Sequence, residues 1–302
     1  MPRYSMYDGE LLYVREVGRG EPVLLLSGLG MQSWQWLPYL VPHLKKYKFI
    51  IPDWRGFGGS KHCKIPAQDA ITSHWQDIDV LIEKLNLNHF ILMGYSMGAT
   101  TAMHGMQYGL LGPKLKAYLH IDQTPKISND DTWAHGLLGA KHPQLKHLLK
   151  ELSMFFHQHQ SVKKIDDLTL EDKAYLINLW IQFIELQATD KITPKLFKFA
   201  FNRPQLQKHI LPIQHLDYLQ WYIDSYLNHL EDYRDAIAQL DSPVTFFIGE
   251  QSTLYPAEGQ LKISSSVKNA KNVIFKKSGH TPLITEPFKF SQELSKFLKR
   301  ST

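Results

Sequence analysis

An α/β fold with a mostly parallel sheet flanked by helices, broken by one helical insertion, is predicted by three observations along this 302-residue chain. Short hydrophobic runs at residues 23–27, 48–52 and 90–93 each lead into a glycine-bearing turn followed by a helical pattern, which is the rhythm of parallel strands with crossover helices. Between about residues 126 and 232 that rhythm gives way to helix after helix. From Ser242 onward strand and helix alternate again. The chain therefore divides into a first core segment (1–125), an inserted helical segment (126–232) and a second core segment (233–302).

Composition agrees with a globular chain that can bury a large core: 43% apolar and 21% charged residues. The single cysteine, Cys63, excludes an internal disulfide and fits a reducing compartment. Its neighbours Ser60, Lys61, His62 and Lys64 suggest an exposed loop. The first residues, Met1-Pro2-Arg3-Tyr4-Ser5-Met6-Tyr7-Asp8, lack the apolar core of a signal peptide, and the apolar runs are too short to cross a bilayer, so a cytoplasmic protein without stable membrane association is expected. The net charge of +5 is spread among mixed lysines and acids, which gives no support to a nucleic-acid partner. Oligomeric state is not legible.

Residues 11–17 and 23–27 read as strands separated by Gly18-Arg19-Gly20. The second enters the glycine-rich loop Ser27-Gly28-Leu29-Gly30, after which 33–47 reads as an aromatic-rich helix. Strand 48–52 leads into Asp53-Trp54-Arg55-Gly56-Phe57-Gly58-Gly59-Ser60, where an ion pair between Arg55 and Asp53 is expected. Trp75, Ile78, Leu81, Ile82 and Leu85 then mark one face of a helix. After strand 90–93 and its turn, Ala99, Met103, Met106 and Leu110 recur at helical spacing. Strand 116–121 delivers Asp122 at its end.

Three amphipathic faces follow in the insertion: Leu145 to Phe156, Leu176 to Ile184 behind the capping-box sequence Thr169-Leu170-Glu171-Asp172, and Leu216 to Leu230. Aromatics here, among them Trp133, Phe155, Phe156, Trp180, Phe183, Trp221 and Tyr222, are candidates for lining an apolar pocket, although residues at helical spacing more often pack core. His157-Gln158-His159 does not make a metal site, because alternate positions on a helix point apart. Strands 244–248 and 272–276, a helix at 259–267, a loop carrying His280 and a last helix at 287–299 complete the chain.

The stretch that carries chemistry is Gly94-Tyr95-Ser96-Met97-Gly98. A serine between two glycines at a strand-to-helix junction is forced into a sharp turn that leaves no room for side chains on either flank. The helix behind it offers free N–H groups and a dipole that favour developing negative charge.

With Ser27-Gly28-Leu29-Gly30, Asp53 to Ser60, the serine pentapeptide and Ser278-Gly279-His280-Thr281-Pro282 in this order, the chain resembles the α/β-hydrolase fold family over nearly its full length. The resemblance implies a serine esterase- or lipase-like hydrolase whose inserted segment, 126–232, is a helical cap over the catalytic edge. It also implies that Ser96 is the nucleophile and His280 its general base. The oxyanion hole is expected from the backbone N–H groups of Leu29 and Met97. Family members often carry histidine where this chain has Ser27.

The third triad member is not settled by the resemblance. Many relatives place an aspartate after the strand corresponding to 244–248, but this chain reads Gly249-Glu250-Gln251-Ser252. Asp122, at the end of the preceding strand, is the first candidate for the acid and Glu250 the second; a site without any carboxylate is the third. The expected activity is cleavage of a small or medium-sized, largely apolar carboxylic ester or thioester through an acyl-enzyme, with no cofactor and no metal. Two other classes stay open: a cofactor-free dioxygenase using the His280/Asp122 dyad, and a non-catalytic ligand-binding receptor of the same fold.

Overall fold

The computed structural model describes residues 2–188, 192–201 and 215–301. Eight strands form one sheet: β1 (Arg3–Ser5), β2 (Leu11–Gly18), β3 (Glu21–Leu26), β4 (Tyr47–Pro52), β5 (Phe90–Tyr95), β6 (Leu115–Ile121), β7 (Val244–Gly249) and β8 (Ala270–Phe275). Their order is β1-β2-β4-β3-β5-β6-β7-β8, antiparallel at β1–β2 and β2–β4 and parallel thereafter. The short edge strand β1 carries no alternation long enough to be read from sequence.

Successive residues of the central strands feed opposite faces, as a pleated strand requires. Leu24, Leu26, Phe90 and Leu92 pack on the face covered by the helices Ala70–Lys84 and Met97–Tyr108. Val23, Leu25, Ile91 and Met93 pack with Phe290, Leu294 and Leu298 of the helix Pro287–Arg300. Both faces being covered explains why these strands read as unbroken apolar runs.

After β6 the chain leaves the sheet. The helices His142–Gln158, Leu170–Gln187 and Leu216–Leu227 follow, with Thr169 Oγ1 accepting from Asp172 N at 3.1 Å at the start of the second. The parts of the 126–232 insertion at 189–191 and 202–214 lie outside the described residues. The helix Leu216–Leu227 is tied to the core by side chains: Tyr222 donates to Arg55 O (2.9 Å), Trp221 to Gln68 O (2.8 Å), and Ser225 Oγ accepts from Ala70 N (2.8 Å).

Four local expectations are corrected. The 33–47 segment is not one helix: Pro38 and Pro42 lack the N–H a helix interior needs, and the chain makes single turns at Ser33–Trp36, Leu37–Leu40 and Val41–His43 before β4. Cys63 is buried rather than exposed, its Sγ 3.6 Å from Leu11 O. Arg55 does not pair with Asp53. The guanidinium is wholly buried and forks onto both Asp77 oxygens, each at 2.7 Å, with Asp8 at 2.6 and 3.0 Å. Asp53 instead accepts from Ser33 N (2.6 Å) and Gly59 N (2.8 Å), bracing two glycine-rich loops against each other. Leu110 and Leu230 lie beyond their helices and are exposed.

Candidate active site

Ser96 sits between β5 and the helix Met97–Tyr108 with φ 52° and ψ −123°, a conformation rare outside glycine. The flanking glycines have steric reasons to be glycine. A Cβ on Gly98 would stand 2.1 Å from Leu26 O, and one on Gly94 would stand 2.9 Å from Ala99 Cα. The strained turn is held by Ser96 N donating to Ile121 O (3.1 Å), while Ala99 N and Thr100 N donate to Ser96 O.

His280 comes from the loop after β8. Its Nε2 lies 2.9 Å from Ser96 Oγ and its Nδ1 2.7 Å from Asp122 Oδ2. The imidazole is stacked on Tyr95, with ring centroids 5.2 Å apart and planes 27° from parallel, and Tyr95 Oη donates to His280 O (2.9 Å). Burial, with the Asp122 charge second, pushes the Tyr95 phenol well above 10, so it stays a hydroxyl that holds the loop.

Asp122, fully buried at the end of β6 with φ 42°, is fixed by four donors. Oδ1 accepts from Gly249 N (2.9 Å) and Gln260 Nε2 (3.0 Å); Oδ2 accepts from Ser252 Oγ (2.7 Å) and faces His280. A buried carboxylate is tolerated only when its lone pairs are so occupied. Glu250 is exposed, and among the described residues it makes no bond to His280. The structure thus brings Ser96, His280 and Asp122 together and leaves Glu250 outside.

Gln260 and Gly249 were not candidates from sequence. Gln260 lies on the helix Ala257–Ser264 with nothing in its spacing to mark it; Ser252 was visible, but as a missing aspartate rather than as the donor that orients a different one. Ser27, where family members carry histidine, is fully buried, its Oγ accepting from Trp36 Nε1 (3.0 Å) and its carbonyl from Trp54 Nε1 (2.8 Å). It anchors the β3 loop that carries Leu29. Leu29 and Met97 both stand beside Ser96, the first in that loop and the second at the first turn of the helix. Neither N–H has a backbone acceptor among the described residues.

Above Ser96 and His280 is a cavity of about 240 Å³. Its walls are Leu145, Leu149 and Leu152 from one insertion helix, Trp180, Phe183 and the amide-bearing Gln187 from the next, and Tyr222, Ile223 and Tyr226 from the third, with Leu29, Leu137, Leu254 and Tyr255 closing the sides. Of the aromatics considered from sequence, Trp180, Phe183 and Tyr222 line it; Trp133, Phe155, Phe156 and Trp221 are packed among neighbours. No cluster of three or more potential metal ligands, and no helix long and apolar enough to cross a membrane, occurs among the described residues. His157 and His159 turn to separate partners, Ser153 O and Phe155 O.

A family model described as alpha/beta hydrolase fold matches residues 21–287. The pimeloyl-[acyl-carrier protein] methyl ester esterase of Legionella pneumophila (strain Corby) is 24% identical over 293 residues, spanning 95% of this chain and 99% of its own. The protein of the same name from Pseudoalteromonas atlantica is 26% identical over 285 residues, spanning 92% and 95%. Among solved structures, an esterase from Exiguobacterium antarcticum is similar with a TM-score of 0.71 at 20% identity, covering 99% of both chains. Sheet order, the Ser96 turn and a family match across most of the sequence lead to one conclusion: the chain belongs to the α/β-hydrolase fold family.

Proposed function

We propose that the protein is a carboxylic ester hydrolase, working through an acyl-enzyme on Ser96 with His280 as general base and Asp122 as the acid. The observation that carries the reading is the continuous line of hydrogen bonds from Ser96 Oγ through His280 to a fully buried, four-donor Asp122, opening onto an apolar cavity. His280 Nε2 takes the Ser96 proton as Oγ attacks the ester carbonyl, then returns it to the departing alkoxide or thiolate. Asp122 holds Nδ1–H and stabilises the imidazolium. The N–H groups of Leu29 and Met97 receive the oxyanion, and water repeats the cycle to release the acid.

A largely apolar acyl ester or thioester of small or medium size fits a cavity of about 240 Å³ walled by leucines and aromatics. The methyl ester named for the Legionella and Pseudoalteromonas relatives supports a small alcohol as the leaving group. The described helices of the 126–232 insertion that wall the cavity serve as the cap that encloses the acyl chain. No cofactor takes part in this scheme, and its partner is a small molecule rather than a nucleic acid.

Reaction with an active-site-directed fluorophosphonate tests it: wild type is labelled at Ser96 and Ser96→Ala is not, in step with loss of turnover on a panel of p-nitrophenyl esters. A wild-type protein that neither labels nor turns over any ester overturns the proposal. Oxygen uptake on an N-heteroaromatic substrate that survives Ser96→Ala but not His280→Ala replaces it with the dioxygenase reading.

A further inference from the structure

The cavity is walled mostly by carbon, so its few polar side chains are informative; among them Gln187 gives its Nε2 to Phe183 O at 3.2 Å. Tyr226, on the helix Leu216–Leu227, lines it together with Ser96, Tyr255 and His280. Other interior tyrosines give their hydroxyls to fixed partners: Tyr39 to Leu283 O, Tyr47 to Leu298 O, Tyr95 to His280 O and Tyr222 to Arg55 O. Tyr255 has the Gln123 amide beside its hydroxyl. Tyr226 has no hydrogen-bond partner among the described residues, and its oxygen is not one of the closed-off, unpartnered atoms, which belong to His74, Gln76, Trp133, Trp180 and Gln260. Its hydroxyl therefore keeps accessible surface, and the space its residue lines is the cavity.

Burial, with Tyr255 nearby, drives the Tyr226 phenol well above 10, so it is a neutral group with a proton to donate. A donor that opens only onto an apolar cavity is best matched by an acceptor on whatever fills that cavity. Resting on the ester-hydrolase reading above, we propose that Tyr226 is a specificity-determining residue: its hydroxyl donates to a second oxygen acceptor on the acyl chain, away from the scissile carbonyl. The preferred substrates are thus apolar esters bearing an oxo or second ester group, in preference to plain alkanoyl esters.

The test compares p-nitrophenyl hexanoate with its 3-, 4- and 5-oxo derivatives on wild type and Tyr226→Phe. The readout is the ratio of kcat/KM for oxo over plain chain, which a general packing defect leaves alone. At one oxo position that ratio is about 5- to 10-fold higher in wild type than in the variant, the size of one neutral hydrogen bond. Ratios within twofold of each other at every position, or an equal fall on all four substrates, overturn the proposal.

Wild type decides alone where the variant does not fold: a kcat/KM lowered alike by oxo substitution at every position overturns it. A failed ester-hydrolase reading shows itself separately, as no turnover and no phosphonate labelling. In that case binding of 2-octanone against its isostere 2-methyl-1-octene, followed by tryptophan fluorescence, tests the Tyr226 donor directly. Preference for the ketone that is lost in Tyr226→Phe upholds it; equal binding in wild type overturns it.

Discussion

Replacing Asp122 by asparagine changes one atom, and the surrounding donors dictate where that atom goes. Gly249 N–H and Gln260 Nε2–H both point at Oδ1, at 2.9 and 3.0 Å, and neither can accept. The asparagine carbonyl must therefore keep the Oδ1 position, and its NH2 takes the Oδ2 position, facing Ser252 Oγ at 2.7 Å and His280 Nδ1 at 2.7 Å. The Ser252 hydroxyl can turn and accept. His280 Nδ1 can accept only as the other tautomer, which puts the ring proton on Nε2, aimed at Ser96 Oγ 2.9 Å away. That imidazole cannot receive the serine proton. In serine triads the same change costs about 10⁴-fold in kcat, or about 5.5 kcal/mol of barrier at 1.36 kcal/mol per decade. Stopped-flow acylation with p-nitrophenyl butyrate measures it, with the thermal midpoint as a check that the variant is folded. Ser252→Ala, which leaves Asp122 three donors, loses less than about tenfold in rate and about 1.5–3 kcal/mol in stability, the range for a bond to a charged group. A folded Asp122→Asn within tenfold of wild type, or a larger loss in Glu250→Gln, refutes the reasoning.

Gly98→Ala places a methyl 2.1 Å from the Leu26 carbonyl, a backbone atom that cannot swing aside, so the turn itself must shift. Acylation falls by at least about 10²-fold, since misplacement of about 1 Å has that effect, and a near-normal rate contradicts the tight-turn account. Phe183→Ala enlarges the cavity and moves the p-nitrophenyl ester optimum to longer acyl chains; an unchanged chain-length profile removes Phe183 from the acyl wall. Stability should fall with acidification. Burial holds His74 at about 3, with the Arg55 charge adding to it, and burial holds His120 and His229 at about 4, against 6.5 in the unfolded chain. The unfolded chain takes up protons first, so the stability these histidines contribute is complete above about pH 6.5 and drains away towards pH 3–4. Near pH 5 His74 adds a slope of about 1.3 kcal/mol per pH unit and His120 and His229 about 1.2 each. Urea unfolding at pH 7, 6 and 5 should show His74→Asn with a slope shallower than wild type by about that amount, and parallel slopes contradict it.

Much of this molecule was legible because its signals are local. The strands β3, β4 and β5 declare themselves as short apolar runs bounded by turns, and the Ser96 turn by its flanking glycines. What escaped is what only tertiary contact supplies. The Arg55 guanidinium was expected on its near neighbour Asp53, but Asp53 is engaged by two backbone N–H groups and Arg55 reaches Asp77 on the next helix and Asp8 near the amino terminus. Which aromatics line the cavity was likewise hidden, for Phe155 and Trp180 both recur at helical spacing, yet Phe155 stacks on His159 while Trp180 lines the cavity.

The acid was ambiguous in sequence for a geometric reason that the sheet makes plain. β6 and β7 are adjacent and parallel, with Ile121 paired to Phe247, so the loops after both strands emerge at the same edge. Asp122 N donates to Phe247 O (2.9 Å) and Gly249 N returns a bond to the Asp122 side chain (2.9 Å), so the two loops meet at a single point. A histidine arriving from beyond β8 can be served by a carboxylate from either. The choice then falls to burial. A carboxylate after β6 is enclosed between the neighbouring loop and the helix Ala257–Ser264, where Ser252 and Gln260 can orient it, whereas Glu250 points to water. On the proposed assignment of Asp122 as the acid, Ser252 stands where the family resemblance leads one to expect an aspartate. Restoring an aspartate there, as in Ser252→Asp, sets two carboxylates on one imidazole, and like charges so close favour one shared proton. That variant should lose activity near neutral pH with Asp122 in place and regain part of it with Asp122→Asn; activity unchanged by Ser252→Asp contradicts the equivalence of the two positions.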